Sequence, residues 1–339
     1  VKKFEFMDDA YLLALDGTQV FGSDEIHCDC CLEKHSKDGV TSYSHQMLGA
    51  VIVHPELKTV IPLCPEMIYR QDGQQKNDCE RNAGKRILEK IKKDHPRMKF
   101  IVIEDGLASN IPHIKAIKEC GYSYILGAKP GDHKYLFEWV AHDDRASSYE
   151  TIIYGGDKVK KKIIHQFKYL NGAPLNSSSE DFLVNFIDYA EITESSYDGG
   201  KTFTETGRKK NSWVTDIKIT KDNIMLIMRG GRARWRIENE VFNTLKNQGY
   251  NLEHNFGHGF KNLCNNFVML MMLAFLVDQL QEICCSFFAK ALEKSRCKRD
   301  LWESMRSFFS KCFIESWAVY FDAIINPDNY PLHLRADTG

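Results

Sequence analysis

Apolar runs and amphipathic stretches alternate along the first 130 residues, a pattern that predicts an α/β fold. Between the runs, 78–95 carries apolar residues at three-to-four spacing up to Pro96, and 111–121 ends at a glycine, so both predict helices. The resulting order β-β-β-α-β-α-β predicts a mixed five-stranded sheet with flanking helices. The five predicted strands are 11–18, 42–53, 58–64, 99–106 and 123–129.

The pattern changes between 135 and 222, where short β-like stretches are separated by turns rich in Gly, Ser and Asn. Within WVTDIKIT (213–220), apolar and polar positions alternate as in a half-buried strand. Helical periodicity then returns. The sequence therefore predicts four segments: the first part of a core, a β-rich insertion, the completion of the core with a helix, and a helical C-terminal tail. They span 1–134, 135–222, 223–290 and 291–339.

Composition places the chain among soluble globular proteins, with 43% hydrophobic and 27% charged residues. The longest apolar run, 267–277, is well short of the ~20 residues that span a bilayer and predicts a buried helix, so no membrane partner is expected. The net charge of −1 gives the whole chain no preference for nucleic acid. The stretch 201–236, however, has ten Lys/Arg against three Asp/Glu, a local net of +7. Such a stretch indicates either a phosphate-binding surface or a solubilising face.

Two aspartates stand at the ends of predicted strands, and each precedes a glycine. Asp16 ends the strand 11–18 and Asp105 ends the strand 99–106. Asp-Gly is a common turn dipeptide, so each aspartate alone has an ordinary explanation. Two such acids converge, however, where the strands of an open sheet end, and open sheets bind ligands there. Two neighbouring carboxylates repel unless a cation lies between them, and Mg²⁺ is bound by one or two carboxylates together with substrate phosphates.

A third carboxylate is available in GRARWRIENEVFNTLK (231–246), which predicts a helix. Glu238 and Arg234 are four residues apart and therefore share a helical face. A glutamate in this position completes a site for two metal ions that activates water and stabilises a leaving oxygen. An arginine one turn away is suited to hold a phosphate through two hydrogen bonds.

The order of these motifs resembles that of the DDE transposases of bacterial insertion sequences, in the IS-four-like group with the Tyr-Arg-Glu-Lys signature. DGT, EDG and RWRIE occur in that order, and a β-rich block separates the second and third acids. The spacings are 105 − 16 = 89 and 238 − 105 = 133 residues. Neighbouring words are also similar to the family: QKNDCERNAGKR, ILGAKPGDH, WVTDIKIT and IENEVFNTLKNQGYNLEHNFGHG.

The resemblance implies a ribonuclease-H-like core that binds two Mg²⁺ or Mn²⁺ ions and carries out cut-and-paste DNA transposition. The metal ligands and catalytic residues would be Asp16, Asp105 and Glu238. The DNA-contacting residues would be Arg234 and Lys246 of the signature, with Arg232, Arg236 and Lys129 as further candidates. The partners would be double-stranded DNA, both transposon ends and target, and a second copy of the chain. The location would be the cytoplasm of a prokaryote, at the nucleoid.

The signature departs from the family pattern at two positions. Gly231 stands where the family has tyrosine, three residues before the arginine. Lys246 follows Glu238 by eight residues rather than seven, so at ~100° per residue it points about 80° away from Glu238. A frame built on Arg236 and Glu240 shortens the spacing to Lys246 but loses the RWRIE match. Glu240 therefore stays an alternative to Glu238.

Cysteines and tryptophans offer further chemistry. Eleven cysteines without a signal peptide indicate reduced thiols in a cytoplasmic compartment. Cys28 and Cys31 have the spacing of a zinc half-site, and ordinary buried or turn thiols are the alternative. Trp213 and Trp235 either pack in the core or stack on bases.

Three other functions are open at this point. The same core without strand transfer would be a divalent-metal nuclease. A chain that begins at Val1, having lost an N-terminal portion, would be an inactive DNA-binding relic. The HCDCC cluster (27–31) would instead serve a zinc-centred interaction module.

Overall fold

The computed structural model of the chain describes residues 2–70, 78–156, 159–255 and 260–330. Three parts of the predicted segments lie outside the described residues. They are 75–77, which begin the QKNDCERNAGKR motif, 256–259, which end the IENEVFNTLKNQGYNLEHNFGHG motif, and 331–339, the end of the predicted C-terminal tail. Within these ranges the fold is mixed α/β, as predicted, and is built on a twelve-stranded mixed sheet.

The strands range in length from two residues in β5 to fifteen in β10. Their order in the sheet is β3-β4-β2-β7-β8-β12-β11-β10-β9, with β1 beside β2 and with β5 and β6 beside β4. The strands of the described ranges are β1 (Glu5–Met7), β2 (Ala10–Ser23), β3 (Leu32–His35), β4 (Thr41–Val53), β5 (Ile61–Pro62), β6 (Glu66–Ile68), β7 (Lys99–Glu104), β8 (Ser123–Gly127), β9 (Ser147–Gly155), β10 (Lys160–Pro174), β11 (Leu183–Ser196) and β12 (Thr204–Thr215).

Helices lie in the intervals between β6 and β9 and form most of the described chain after β12. The α-helices of the described ranges are α1 (Glu80–Asp94), α2 (Ile111–Glu119), α3 (Lys134–His142), α4 (Ile224–Arg232), α5 (Asn243–Asn247), α6 (Leu263–Cys284), α7 (Ser286–Lys294), α8 (Lys298–Lys311) and α9 (Trp317–Ile325). A π-helix, Ile237–Phe242, leads directly into α5.

The prediction of a five-stranded sheet is wrong in size, because the β-rich segment is not a separate layer. Strand β12 pairs antiparallel with β8, with Trp213 opposite Gly127 and Thr215 opposite Ile125. Strands β11, β10 and β9 then follow as antiparallel neighbours. The β-rich segment therefore extends the sheet that the parallel strands begin.

The WVTDIKIT prediction is only partly right. Strand β12 ends at Thr215, and the following residues make no strand. Trp213, Val214 and Thr215 are all buried instead of alternating, since this end of β12 lies between β8 and β11 and both of its faces are covered. The segment 135–222 also opens with a helix, α3, rather than with a strand.

The chain divides into two compact units. Unit 1 comprises Val1–Asp16, Ile52–Glu56 and Glu80–Trp235, and unit 2 comprises Gly17–Val51, Leu57–Cys79 and Arg236–Gly339. The core of unit 1 lies around the parallel strands, where residues such as Leu12, Val102 and Ile125 are fully buried. Unit 2 includes an apolar cluster formed by its C-terminal helices, with members Phe288, Ala291, Leu301, Trp302, Tyr320 and Phe321. The domain boundaries drawn from sequence stay predictions.

The apolar run 267–277 is helical as predicted but is not fully buried. It forms the middle of α6, which has 22 residues. Val268, Met272 and Phe275 are buried, whereas Leu270 is 60% and Leu273 56% exposed. The run is apolar all round, so packing on one side leaves apolar residues on the other. Within the described part of the chain, α6 is long and apolar enough, by length and composition alone, to cross a membrane.

Candidate active site

Asp16 lies within β2, which continues to Ser23, and Asp105 directly follows β7. The prediction that Asp16 ends its strand is therefore wrong. Strand β2 pairs with β7 from Ala10 opposite Lys99 to Ala14 opposite Ile103, an offset of 99 − 10 = 89 residues. Continuing that register by two residues places Asp16 opposite Asp105, because 105 − 16 is also 89. Adjacent strands are about 4.8 Å apart, and equivalent residues of parallel strands point to the same face. Both residues are therefore expected at the same level of the sheet, where β7 ends, within unit 1.

The backbone around Asp105 is held in place by a tight turn. The Asp105 carboxylate caps a short 3₁₀ turn by accepting a hydrogen bond from the Leu107 N–H at 2.9 Å. Gly127 of β8 makes this turn possible, since a Cβ there would stand 3.0 Å from the Gly106 nitrogen and 3.2 Å from the Asp105 carbonyl carbon. The aliphatic stem of Lys129, a predicted DNA contact, lies alongside Gly106, and Lys129 itself is exposed.

Arg234 reaches Asp16 rather than open solvent. Its Nη1 donates to Asp16 Oδ2 at 2.7 Å, with 15% of the arginine side chain and 23% of the aspartate side chain exposed. The two residues are 218 positions apart in sequence. A predicted phosphate-binding arginine and a predicted metal ligand are thus in direct contact, and Arg234 supplies positive charge at the carboxylate that a cation would occupy.

Glu80 is an acid of this region that the sequence reasoning did not select. It begins α1 and is exposed as a residue. Partial burial of its carboxyl group, and then the carboxylates of Asp105 and Glu104, raise the pKa of Glu80. Glu104 itself contacts His113 at 2.6 Å. Because like charges crowd here, the Asp105 corner of unit 1 favours a bound cation. Nothing in the local sequence around Glu80 indicates this proximity, which depends on how α1 packs.

Glu238 lies in unit 2, in the π-helix 237–242. The Glu238 carbonyl accepts the N–H of Asn243, five residues on, so the turn is wider than an α-helical one. Ile237, Val241 and Leu245 form the fully buried face of this segment. Helical π-turns are frequent at functional sites. Glu240, the alternative to Glu238, is paired with Arg236 at 2.9 Å. The meeting of Glu238 with the two aspartates stays a prediction.

The π-turn also changes the place of Lys246. A continuous α-helix would point Lys246 about 80° away from Glu238. The five-residue hydrogen-bonded turn takes up one extra residue, so eight residues here cover nearly the same rotation as seven in an α-helix. The divergence predicted for Lys246 is therefore wrong, since it assumed an α-helix throughout. The Lys246 ammonium contacts Glu253 at 2.7 Å.

Gly231 allows a close approach that a side chain would prevent. A Cβ at Gly231 would stand 2.4 Å from the Trp213 Nε1 and 2.6 Å from its Cε2. Trp213 is 5% exposed and packs against Tyr189, with ring centroids 6.2 Å apart. The core interpretation of Trp213 is thus confirmed, and the tyrosine of the family signature has no room at position 231. Trp235 is 58% exposed, so the core interpretation is wrong for that residue.

The surface formed by the basic stretch 201–236 carries less net positive charge than the count along the sequence indicates. Arg232, a predicted DNA contact, donates to Glu191 at 2.6 Å, and Lys209 lies 3.6 Å from the same glutamate. Arg208 is held by Glu205. The net charge counted along the stretch omits acids that arrive from other strands, so it overstates the positive surface.

Comparison of the sequence with protein-family models gives no match, and comparison with curated proteins gives none either.

Proposed function

We propose that the chain is a DDE-type DNA transposase that cleaves transposon ends and joins them to target DNA. The observation that carries the proposal is the parallel register of β2 and β7, which brings Asp16 level with Asp105 when it is continued by two residues. Glu238 is the proposed third carboxylate. The reaction is phosphodiester hydrolysis followed by attack of the freed 3′-OH on target DNA, and the same three acids serve both steps.

The chemistry of the donor set suits Mg²⁺ or Mn²⁺. Asp16 and Asp105 offer hard carboxylate oxygens, and burial, followed by the nearby carboxylates of Asp105 and Glu104, raises the pKa of Glu80. Asp16, Asp105 and Glu238 would hold the ions. When bound, a pair of such ions activates the attacking oxygen and stabilises the leaving one.

The chain's own residues then have separate tasks. The Asp105 carboxylate is fixed by the Leu107 N–H, which keeps it from swinging away from the edge. Arg234 neutralises Asp16 and is a fixed donor for a phosphate entering beside it. Lys129 and Lys246 add positive charge for the DNA backbone, and Trp235 offers an exposed ring for stacking.

Strand order supports the finer fold assignment. The order β4-β2-β7-β8, with β7 and β8 parallel to β2, is the arrangement expected of a ribonuclease-H-like core. The twelve-stranded sheet would then be this core enlarged by the β-rich segment. We further propose that two chains act together, one on each DNA end, at the nucleoid in the cytoplasm of a prokaryote.

The test is Mn²⁺-dependent cleavage of supercoiled DNA by the full chain and by Asp16→Asn, Asp105→Asn and Glu238→Gln. Each variant is expected to lose more than roughly 100-fold in rate, since loss of an outer-shell partner alone costs about 10–100-fold. Glu240→Gln is the matched control and should keep its activity, because Glu240 is paired with Arg236. Unchanged cleavage in any of the first three variants would overturn the three-acid proposal.

Strand transfer distinguishes a transposase from a plain nuclease on the same core. Pre-cut DNA ends with a free 3′-OH are incubated with a target plasmid and the chain. Covalently joined products are expected, and they must disappear in Asp105→Asn. Cleavage without joining would indicate the nuclease, and binding without cleavage would indicate the inactive relic.

A further inference from the structure

Cys28, Cys31 and His45 come together in unit 2 with the spacing of metal ligands. Cys28 Sγ lies 3.8 Å from Cys31 Sγ and 3.4 Å from His45 Nε2. The ligand atoms of all three residues lie within 4.8 Å of one another. His45 and Cys31 are buried, and Cys28 is partly buried.

The local fold explains why these three residues meet. Strand β3 pairs antiparallel with β4, with Leu32 opposite Ser44. Extending that register by one residue places Cys31 opposite His45. Residues 28–31 form a turn in which the Cys31 N–H donates to the Cys28 carbonyl at 3.0 Å, and the turn returns Cys28 to the same place. The Cys28 N–H in turn lies 3.4 Å from Cys31 Sγ.

The distances match a tetrahedral zinc site. Zinc binds sulfur at about 2.3 Å and nitrogen at about 2.0–2.1 Å, so tetrahedral angles put two sulfur ligands about 3.8 Å apart and sulfur and nitrogen about 3.5 Å apart. The observed 3.8 and 3.4 Å agree with these values. The two sulfurs of a disulfide are about 2.05 Å apart, so Cys28 and Cys31 are too far apart to form a disulfide.

Cys264 is a candidate for the fourth position. It stands at the start of α6, and it lines a small apolar cavity together with Phe21. The Phe21 ring packs edge-on against His45 at 6.3 Å. Cys264 and His45 are thus both neighbours of the Phe21 ring.

We propose that Cys28, Cys31 and His45 bind a zinc ion, with Cys264 as the candidate fourth ligand. With four protein ligands the site would have no open position, so the ion would have a structural rather than a catalytic role. The fourth ligand would link the β3–β4 hairpin to the beginning of α6 within unit 2. Cys30 lies between the two cysteine ligands, and its carbonyl accepts the Arg70 N–H at 2.9 Å, so Cys30 serves as the matched control for the test.

The test is metal analysis of the full chain purified from zinc-supplied cells without chelator. About one zinc per chain is expected. Cys28→Ser, Cys31→Ser and Cys264→Ser should each fall to less than about a tenth of that content, whereas the matched control Cys30→Ser should keep it. Zinc absent from the unaltered chain, or retained in Cys28→Ser, would overturn the proposal. Zinc retained in Cys264→Ser would overturn the fourth ligand.

A cysteine variant could lose zinc only because it fails to fold. Replacement of zinc by cobalt avoids this problem, because it tests the unaltered chain. The unaltered chain is stripped with a chelator and titrated with Co²⁺. A tetrahedral site with three thiolates gives intense visible d–d bands and sulfur-to-metal charge transfer in the near ultraviolet, saturating at one ion per chain. Weak bands typical of octahedral Co²⁺, without charge transfer, would contradict the site. The readout is independent of DNA cleavage.

Discussion

Arg234 contacts Asp16 directly, through a hydrogen bond of 2.7 Å between a guanidinium and a carboxylate that are both mostly buried. The pair joins the end of the α4 region to β2, two elements more than 200 residues apart in sequence. Since Asp16 is a proposed metal ligand, the arginine competes with a cation for that carboxylate. In the presence of DNA, a phosphate is an alternative partner for the same guanidinium.

Arg234→Gln is expected to bind Mn²⁺ about tenfold more tightly in the absence of DNA. The reason is that a unit charge about 4 Å away at a protein surface contributes about 4 kcal/mol before screening and rearrangement reduce it. The same variant should cleave DNA more slowly. Calorimetric titration with Mn²⁺ measures the first effect. Arg208→Gln, which removes an arginine paired with Glu205, is the control. Weaker Mn²⁺ binding in Arg234→Gln would contradict the competition.

Gly231→Ala is expected to lower the free energy of unfolding by about 1–3 kcal/mol, the usual cost of overpacking a core. Its Cβ would stand 2.4 Å from the buried Trp213 Nε1. Gly131→Ala is the control, since nothing lies within 4 Å of a Cβ there. Urea denaturation of both variants measures the difference. The loss should shrink in a Trp213→Phe background. An equal loss in both backgrounds would mean that the indole is not the cause.

The stability of unit 2 is expected to fall between pH 4 and pH 6 because of Asp278. Burial raises the pKa of Asp278 to about 6, against about 3.9 in an unfolded chain. The folded state therefore binds the proton more tightly, and the stabilisation present below pH 4 is lost as pH rises to 6. The unaltered chain should lose on the order of 1–2 kcal/mol over this range relative to Asp278→Asn. Thermal unfolding followed against pH checks this, and parallel profiles would contradict it.

Lys129→Gln is expected to weaken DNA binding equally for all sequences and to lower the slope of log K against log salt by about one. The reason is that Lys129 lies beside the Asp105 turn and is exposed there. Lys92→Gln is the control, because the Lys92 ammonium lies over the Tyr122 ring at 5.7 Å. Fluorescence anisotropy at several salt concentrations measures both slopes. A slope unchanged in Lys129→Gln would remove that residue from the interface.

Local patterns predicted only part of the first half of the fold, since β2 runs to Ser23 rather than ending at 18 and the predicted strand 58–64 is reduced to Ile61–Pro62. The helix 80–94 and the strand 99–104 lie within a few residues of their predicted limits, because an amphipathic face and an apolar run each depend on near neighbours. The size of the sheet was not predictable in this way. Whether β12 pairs with β8 is decided by residues about 90 positions apart, and no local periodicity carries that information.

In the candidate site, too, features that depend on local sequence were predicted, and features that depend on tertiary packing were not. Asp105 is recognisable from sequence, because an acid before glycine at a strand end is a local pattern, whereas the strand that holds Asp16 continues to Ser23. The partner of Asp16 and the crowding around Glu80 depend on tertiary packing and were missed. The π-turn was missed for another reason. A prediction from sequence assumes 3.6 residues per helical turn, so the extra residue of the π-turn was interpreted as Lys246 pointing away from Glu238.

The most direct test of the central claim is metal-directed cleavage of the protein itself. Fe²⁺ is bound in place of Mg²⁺, ascorbate and peroxide are added, and hydroxyl radicals cut the backbone near the bound ion. The account predicts cuts close to residues 16, 105 and 238 together, suppressed by excess Mg²⁺ and absent in Asp16→Asn. Cuts that avoid 16 and 105, or that persist unchanged in Asp16→Asn, would contradict a shared metal site. Cuts at 16 and 105 without 238 would remove Glu238 from it.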